Sequence, residues 1–267
     1  MIEIQAAYAA SPPEPLNHAR VCHDTIARIT GAVITGSTET AGFPDDAAAN
    51  SLTYDRWLPT ALPATWQIDA LTAQAVDYIA IASHALFDGG ITVFAESSTN
   101  GSAWDTEDSQ TPTDNSPIVF LFAEKSRRYW RIRMTGTTPQ PVGVVYIGKA
   151  LNMARPNYGG HSPFSLSRTT KSQSTRSVEG QFLGKRLVQT GFATSFAWTN
   201  LAAAWYRTNF DPFVEDATQF PFFIGWNPSQ FPEDVGYVWL NGNVSPTNMG
   251  VRDLMQVSIN VTGLGIE

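Results

Sequence analysis

The run Ala75-Val-Asp-Tyr-Ile-Ala-Ile-Ala82 decides the class of this fold. It is the longest of a series of period-2 or continuously apolar stretches, with Ile91–Ala95, Ile118–Phe122, Tyr129–Met134 and Val142–Ile147, each bounded by Gly, Asn, Pro or Ser. Such runs read as antiparallel strands. Asn100-Gly101 is a turn dipeptide, and the polar run Asp105–Asn115 after it predicts a long loop. The first part of the chain is therefore expected to be a sandwich or barrel.

Composition agrees. Of 267 residues 43% are hydrophobic and 15% charged, with 20 Gly, 17 Pro, 8 Trp, 8 Tyr and 15 Phe, which favours turn-rich β structure and excludes disorder or coiled coil as the main theme. No stretch approaches the roughly 18 apolar residues of a membrane helix, and Met1–Ala10 lacks the basic start of a signal peptide, so a soluble chain not exported by the general route is expected. The lone cysteine, Cys22, forms no intramolecular disulfide. A net charge of −7 argues against nucleic acid as a partner, which needs a concentrated basic footprint.

The charge is unevenly placed. Residues 1–150 hold 9 Lys+Arg against 16 Asp+Glu, and residues 151–267 hold 8 of each, so two units are expected, 1–150 and 151–267. Past the boundary, Leu151–Arg186 is Gly/Pro-rich and then Ser/Thr-rich, with Arg155, Arg168, Lys171, Arg176, Lys185 and Arg186 against one acid, Glu179. It reads as a solvated loop or as an arm docking on an acidic neighbouring subunit, with Arg168, Lys171, Arg176, Lys185 and Arg186 as the assembly residues. Further on, Leu187–Phe192, Thr194–Trp198, Phe220–Gly225, Val235–Leu240 and Leu254–Thr262 read as strands. One helix is expected at Leu201–Asn209, capped by Thr199 or Asn200 and stopped by Pro212.

No catalytic set is legible. Gly159-Gly-His161-Ser162-Pro163 approaches a nucleophile elbow, but Pro163 removes the N–H an oxyanion hole needs. His18, Cys22 and His23 lack the fourth ligand of a zinc site, so no metal and no cofactor are expected. Asp105-Thr-Glu107-Asp108 gathers oxygens without the spacing of a calcium loop, and reads as a solvated acidic loop. Asp45-Asp46 pairs as glycosidase carboxylates only if an opposed group exists. Aromatic faces suit sugar stacking. Trp66 and Trp130 lie in strand-like runs and read as core, Trp57 and Trp104 lie in predicted loops, and His84, in Ser83–Gly90, reads as a loop-ordering residue more than as a ligand contact.

Two groups of residues carry family resemblances. Ala49-Asn-Ser-Leu52, Arg56-Trp-Leu-Pro59, Thr65-Trp-Gln-Ile-Asp69, Asp77–His84, Ile91–Ser98 with Gly101-Ser-Ala-Trp104, and Arg128-Tyr-Trp-Arg-Ile132 together resemble galactose-binding-like (discoidin-type) jelly rolls. That resemblance implies a non-catalytic module at 1–150 that binds carbohydrate or protein through end loops, with Trp57, His84 and Trp104 as candidate contacts. Gly180–Arg186, Ala204-Trp-Tyr-Arg207, Phe210-Asp-Pro-Phe213, Pro221–Trp226 and Val235–Trp239, closed by Leu254–Gly263, look like tail-tip and distal tail proteins of long-tailed bacteriophages. This second resemblance implies a β-barrel-like domain with one packed helix, forming a ring, hexamer or trimer, with the tail tube and other tail-tip proteins as partners. The expectation is a mostly β structural virion protein of the tail tip, assembled in the host cytoplasm, with a host-surface glycan as a further candidate partner. A carbohydrate-binding receptor module without a tail role is the alternative, and a glycoside hydrolase the third.

Overall fold

The structure, a computed structural model, describes residues 1–250 and 252–264. In chain order the strands are β1 (Ile2–Ile4), β2 (Arg20–Cys22), β3 (Val33–Gly36), β4 (Ala64–His84), β5 (Thr92–Ser98), β6 (Asp105–Gln110), β7 (Ile118–Thr135) and β8 (Val142–Gly148). They continue with β9 (Leu151–Asn152), β10 (Thr169–Arg176), β11 (Phe182–Ala202), β12 (Phe222–Gly225), β13 (Val235–Leu240), β14 (Thr247–Asn248) and β15 (Leu254–Leu264). The fold is mostly β, as expected.

The first sheet runs β3-β4-β7-β5-β6, with β8 added on β4 and β1, in parallel, on β7. Two long strands make it a sandwich. β4 pairs β7 through Ala64–Asp69 and again through Tyr78–Ile81, with the register broken between Asp69 and Gln74, where Leu71 has φ 65°. Trp66, Ile68 and Ala70 from the first half of β4 share one core with Ile79 and Ile81 from the second half, so the sheet folds its halves face to face. In the first half buried and half-buried residues alternate. In the second half, from Val76 to Ala82, every residue is buried, because that half has apolar partners on both faces.

The second face belongs to the other sheet, β10-β11-β15-β13-β12-β2-β9 with β14 on β15. Tyr78, Ala80 and Ala82 of β4 and Val144 and Tyr146 of β8 pack with Phe223 of β12 and Tyr237 of β13. Tyr146 meets Phe223 edge-on at 5.5 Å, and Phe223 meets Tyr237 at 4.7 Å. β12 alternates across its own sheet: Phe222 and Ile224 face a third core, formed with Trp198, Phe210 and Phe213. Beneath that core lies the helical run Ala203–Trp205, Tyr206–Phe210 and Asp211–Ala217. The second sheet also takes β2 from the N-terminal segment, Val21 pairing with both Ile224 and Leu151. It is an open, sandwich-like layer.

Three details depart from the sequence reading. Asp105–Gln110 is an edge strand instead of a loop, because Glu107 is fully buried and anchors it, accepting from Ser97 Oγ (2.6 Å) and pairing with Lys125 (2.7 Å). Pro212 does not stop the helix. It sits in the first turn of Asp211–Ala217, where its missing N–H is preceded by a π-helical turn that absorbs the mismatch. Thr199 and Asn200 cap nothing: they form a bulge in β11, with Asn200 at φ 59°, and Ala202 precedes the helix.

Polar groups in the junction are paired. Arg20, 1% exposed, donates to Tyr8 Oη and to the carbonyls of His18 and Glu14. Asp77 accepts from Ala150 N–H at 2.7 Å, where the chain passes from β8 of the first sheet to β9 of the second. Loss of water on burial raises the Asp77 carboxyl from 3.8 to about 7. A carboxyl that holds its proton longer folded than unfolded contributes stability fully present below the unfolded value and lost as pH rises through the folded one. Between pH 4 and pH 7.5 the native chain should therefore lose stability relative to Asp77→Asn, by an amount on the order of a few kcal/mol. Urea titrations at several pH values check this, and parallel profiles would refute it. Phe223→Ala, by opening the shared core, should cost about 3–5 kcal/mol and lower a single calorimetric transition for the whole chain. Two separate transitions would show that the units melt independently.

Candidate functional site

Where the two sheets meet, the strands of the second leave a cleft of about 840 Å³ beside the ends of β4 and β8. One wall is the loop after Asn50, which carries Tyr54 and Arg56; the other is Leu187–Thr190 of β11 with Trp239 of β13; Asp88, Asn115 and Ser116 close the end. The Tyr54 loop is fastened along its length. Asn50 pairs with Asp55 (2.8 Å) and accepts from Leu52 N–H (2.7 Å), Tyr237 Oη donates to Ser51 O (2.8 Å), and Ser83 Oγ donates to Thr53 O (2.6 Å). The Tyr54 side chain, in contrast, is 80% exposed.

The three sugar-contact candidates separate. Trp57 is not a loop platform: its ring is completely buried in the first core and its indole N–H donates to Thr38 O at 2.9 Å, so no face is left for a ligand. Trp104 is partly exposed, with the Arg131 guanidinium 3.9 Å from its ring centre. Arg131 and Arg133 both donate to the buried Glu96, at 2.6 and 2.8 Å, and Arg133 lies over Phe94, so Trp104 ends a braced ladder on the outer sheet face. His84 does border the cleft, but it is buried, with Nε2 at 2.9 Å from Ser116 O and Nδ1 receiving Leu86 N–H at 3.4 Å. Burial lowers its pKa to about 4, which keeps the ring neutral. It orders the loops and presents no spare nitrogen.

The remaining motifs resolve as local structure. His161 is held by Asn157 at 2.8 Å and packs on Phe196 and Trp226. His23 pairs with Asp216, His18 bonds Met153 O, and Cys22 is buried, so the three do not converge; among the described residues no cluster suits a metal. Asp45 accepts from Gly36 N–H at 2.7 Å.

The assembly candidates share one element. β10 and β11 form a hairpin in which Thr169–Arg176 pair with Phe182–Gly191, and Gly180, at φ 85°, shapes its tip. Among the described residues, Phe182–Thr190 pair with β10 alone. Arg168, Lys171, Arg176, Lys185 and Arg186 are all exposed on or beside it, and among the described residues none makes an ion pair. Sequence reading overlooked its apolar part: Val178, Phe182, Leu183, Leu187 and Val188 are each more than half exposed.

No family model matches the chain, and no curated protein matches it. Among solved structures it is similar to chitosan-binding module 1 of the chitosanase/glucanase from Paenibacillus sp. IK-5, at 17% identity and TM-score 0.40, over 47% of this chain and 98% of that one. It is similar to a Clostridium perfringens module, CpGH89CBM32-5, in complex with GalNAc-β-1,3-galactose, at 9% identity and TM-score 0.41, over 47% and 99%. The Ruminococcus gnavus GH29 fucosidase in complex with fucose matches at 13% and 0.42, over 48% of this chain and 27% of the enzyme. At these values the similarity assigns neither ligand nor activity.

Trp57→Ala should cost about 3–5 kcal/mol of stability, as for other buried aromatics, whereas Trp104→Ala should cost about 1 kcal/mol or less. Chemical denaturation of both variants checks the assignment, and equal losses would overturn it.

Proposed function

We propose that this chain is a non-catalytic assembly subunit, a structural protein of a tailed-phage tail tip that joins copies of itself through the β10–β11 hairpin. The hairpin carries the reading. A two-stranded hairpin is marginal in water on its own, and this one leaves in solvent five large apolar side chains and five cations that make no ion pair among the described residues. Such an element is completed by a neighbour that covers the apolar side chains and answers the charge. A second copy supplies both. Its residues 1–150 carry 16 acids against 9 bases, and Lys125, Arg127, Arg128, Arg131, Arg133 and Lys149 are already engaged with carboxylates, while Glu39, Asp46 and Asp114 are exposed. The ring and its place in the tail rest on the resemblance of residues 151–267 to distal tail proteins.

A second reading, a carbohydrate-binding module without a tail role, is supported by the mixed aromatic and polar cleft beside Tyr54. Among the described residues, glycoside hydrolysis has no pair of opposed carboxylates in that cleft to support it, Asp88 being the one acid they place there.

Sedimentation velocity tests the first reading. The native chain should form a closed oligomer that weakens as salt rises from about 0.05 to 0.5 M, because exposed ion pairs are screened. Replacing Arg168, Arg176 and Arg186 together by Ser should reduce assembly at moderate salt with an unchanged circular dichroism spectrum. A native chain that stays monomeric, or a triple variant that assembles normally, would overturn the proposal.

A further inference from the structure

The cleft holds a combination of groups that assembly through the hairpin leaves unused. Tyr54 stands 80% exposed on a loop whose backbone is tied at Ser51 and Thr53, so the loop is held in position while the ring is left unpacked. Trp239, 37% exposed on β13, faces the same space from the other unit. Between them the polar groups are fixed. Asn115 Nδ2 donates to Asp88 Oδ2 at 3.1 Å, and Phe87 N–H donates to Asn115 Oδ1 at 3.1 Å, which sets the orientation of both side chains. Arg56 is anchored through Nε to Thr53 O at 3.3 Å, leaving its terminal nitrogens to the cleft.

We propose that this cleft binds a neutral oligosaccharide, with Tyr54 and Trp239 as stacking faces and Arg56, Asp88 and Asn115 as partners for the hydroxyl groups. The proposal rests on the second functional reading. A pyranose ring presents C–H groups on its faces and hydroxyls around its rim, so it satisfies exposed aromatic faces and planar polar side chains together. A purely apolar ligand would strip water from Arg56 and Asp88 without replacing its hydrogen bonds. An anionic ligand would meet Asp88, and a cationic one Arg56. The volume, about 840 Å³, is near the top of the usual small-ligand range of about 300–1,000 Å³, which suits a chain of rings better than a single one.

Isothermal titration calorimetry of the full chain, with neutral tri- and tetrasaccharides of glucose, galactose, mannose and their 2-acetamido forms, tests the site. At least one should bind, and Tyr54→Ala and Trp239→Ala should each weaken it about tenfold or more with an unchanged melting temperature. Trp104→Ala, outside the cleft, should leave binding unaltered. Failure of every sugar in the panel, or binding that survives both cleft substitutions, would overturn the proposal. Sedimentation of the same variants separates the two ideas. Variants that lose sugar but assemble like the native chain support the cleft as a ligand site. A native chain that binds no sugar, with cleft variants that fail to assemble, makes the cleft a contact between copies and overturns it.

Discussion

Ile79 and Ile81 point from β4 into the first core while Tyr78, Ala80 and Ala82 point from the same strand into the core shared with the second sheet. This half of the strand, Val76–Ala82, has no wet face, and the rest of the molecule is arranged around that constraint. The two sides differ in bulk. Ile side chains fill the sandwich interior, and the alanines leave room on the other side for Phe223 and Tyr237 to approach. Gly225 makes a comparable allowance in β12: a Cβ there would lie 2.3 Å from the Ile2 side chain. Close packing at such a junction transmits position, so the Tyr54 loop and Trp239 are held at a fixed separation although they lie far apart in the sequence.

A buried junction leaves polar groups with no water to turn to, and each must find a protein partner. Arg20 finds four acceptors in the segment Tyr8–His18, which binds the N-terminal segment beneath the second sheet. Tyr146 links across the junction, accepting from Arg28 at 3.0 Å and donating to Pro221 O at 3.1 Å. Tyr78 Oη donates to Asp24 O. These bonds specify how the sheets meet more than they add stability, since each replaces one made to water in the unfolded chain.

What the sequence disclosed follows from what burial leaves visible. The continuous apolar run Ala75–Ala82 and the alternating Met255–Thr262 both became strands, because a strand covered on two faces and one covered on a single face leave distinct patterns. Thr169–Arg176 left no pattern, since neither of its faces is buried, and its Ser/Thr/Lys/Gln composition reads as loop. Glu107 was hidden for the opposite reason: a carboxylate sealed against Ser97 and Lys125 looks in sequence like its solvated neighbours Asp105 and Asp108. In the candidate site, Trp57 misled because a residue between elements can still be core, while Tyr54, three positions earlier, carries the exposed ring. Trp239 gave no signal of its cleft, which exists only once two segments distant in sequence face one another.

The hairpin and the cleft are not independent features. Leu187–Thr190 belong to both, forming the base of the hairpin on β11 and one wall of the cleft. A neighbour that covers the hairpin therefore fixes that wall, and a ligand that orders the wall presents the hairpin in one orientation. Binding at two sites that share an element is coupled, and the coupling is reciprocal: if assembly tightens ligand binding by some factor, ligand tightens assembly by the same factor. The sign follows from what each event does to Leu187 and Val188. Both are more than half exposed in the single chain, so each partner gains by covering apolar surface, and the second to arrive finds the wall already ordered. Cooperation is favoured as long as the two partners take different faces of β11.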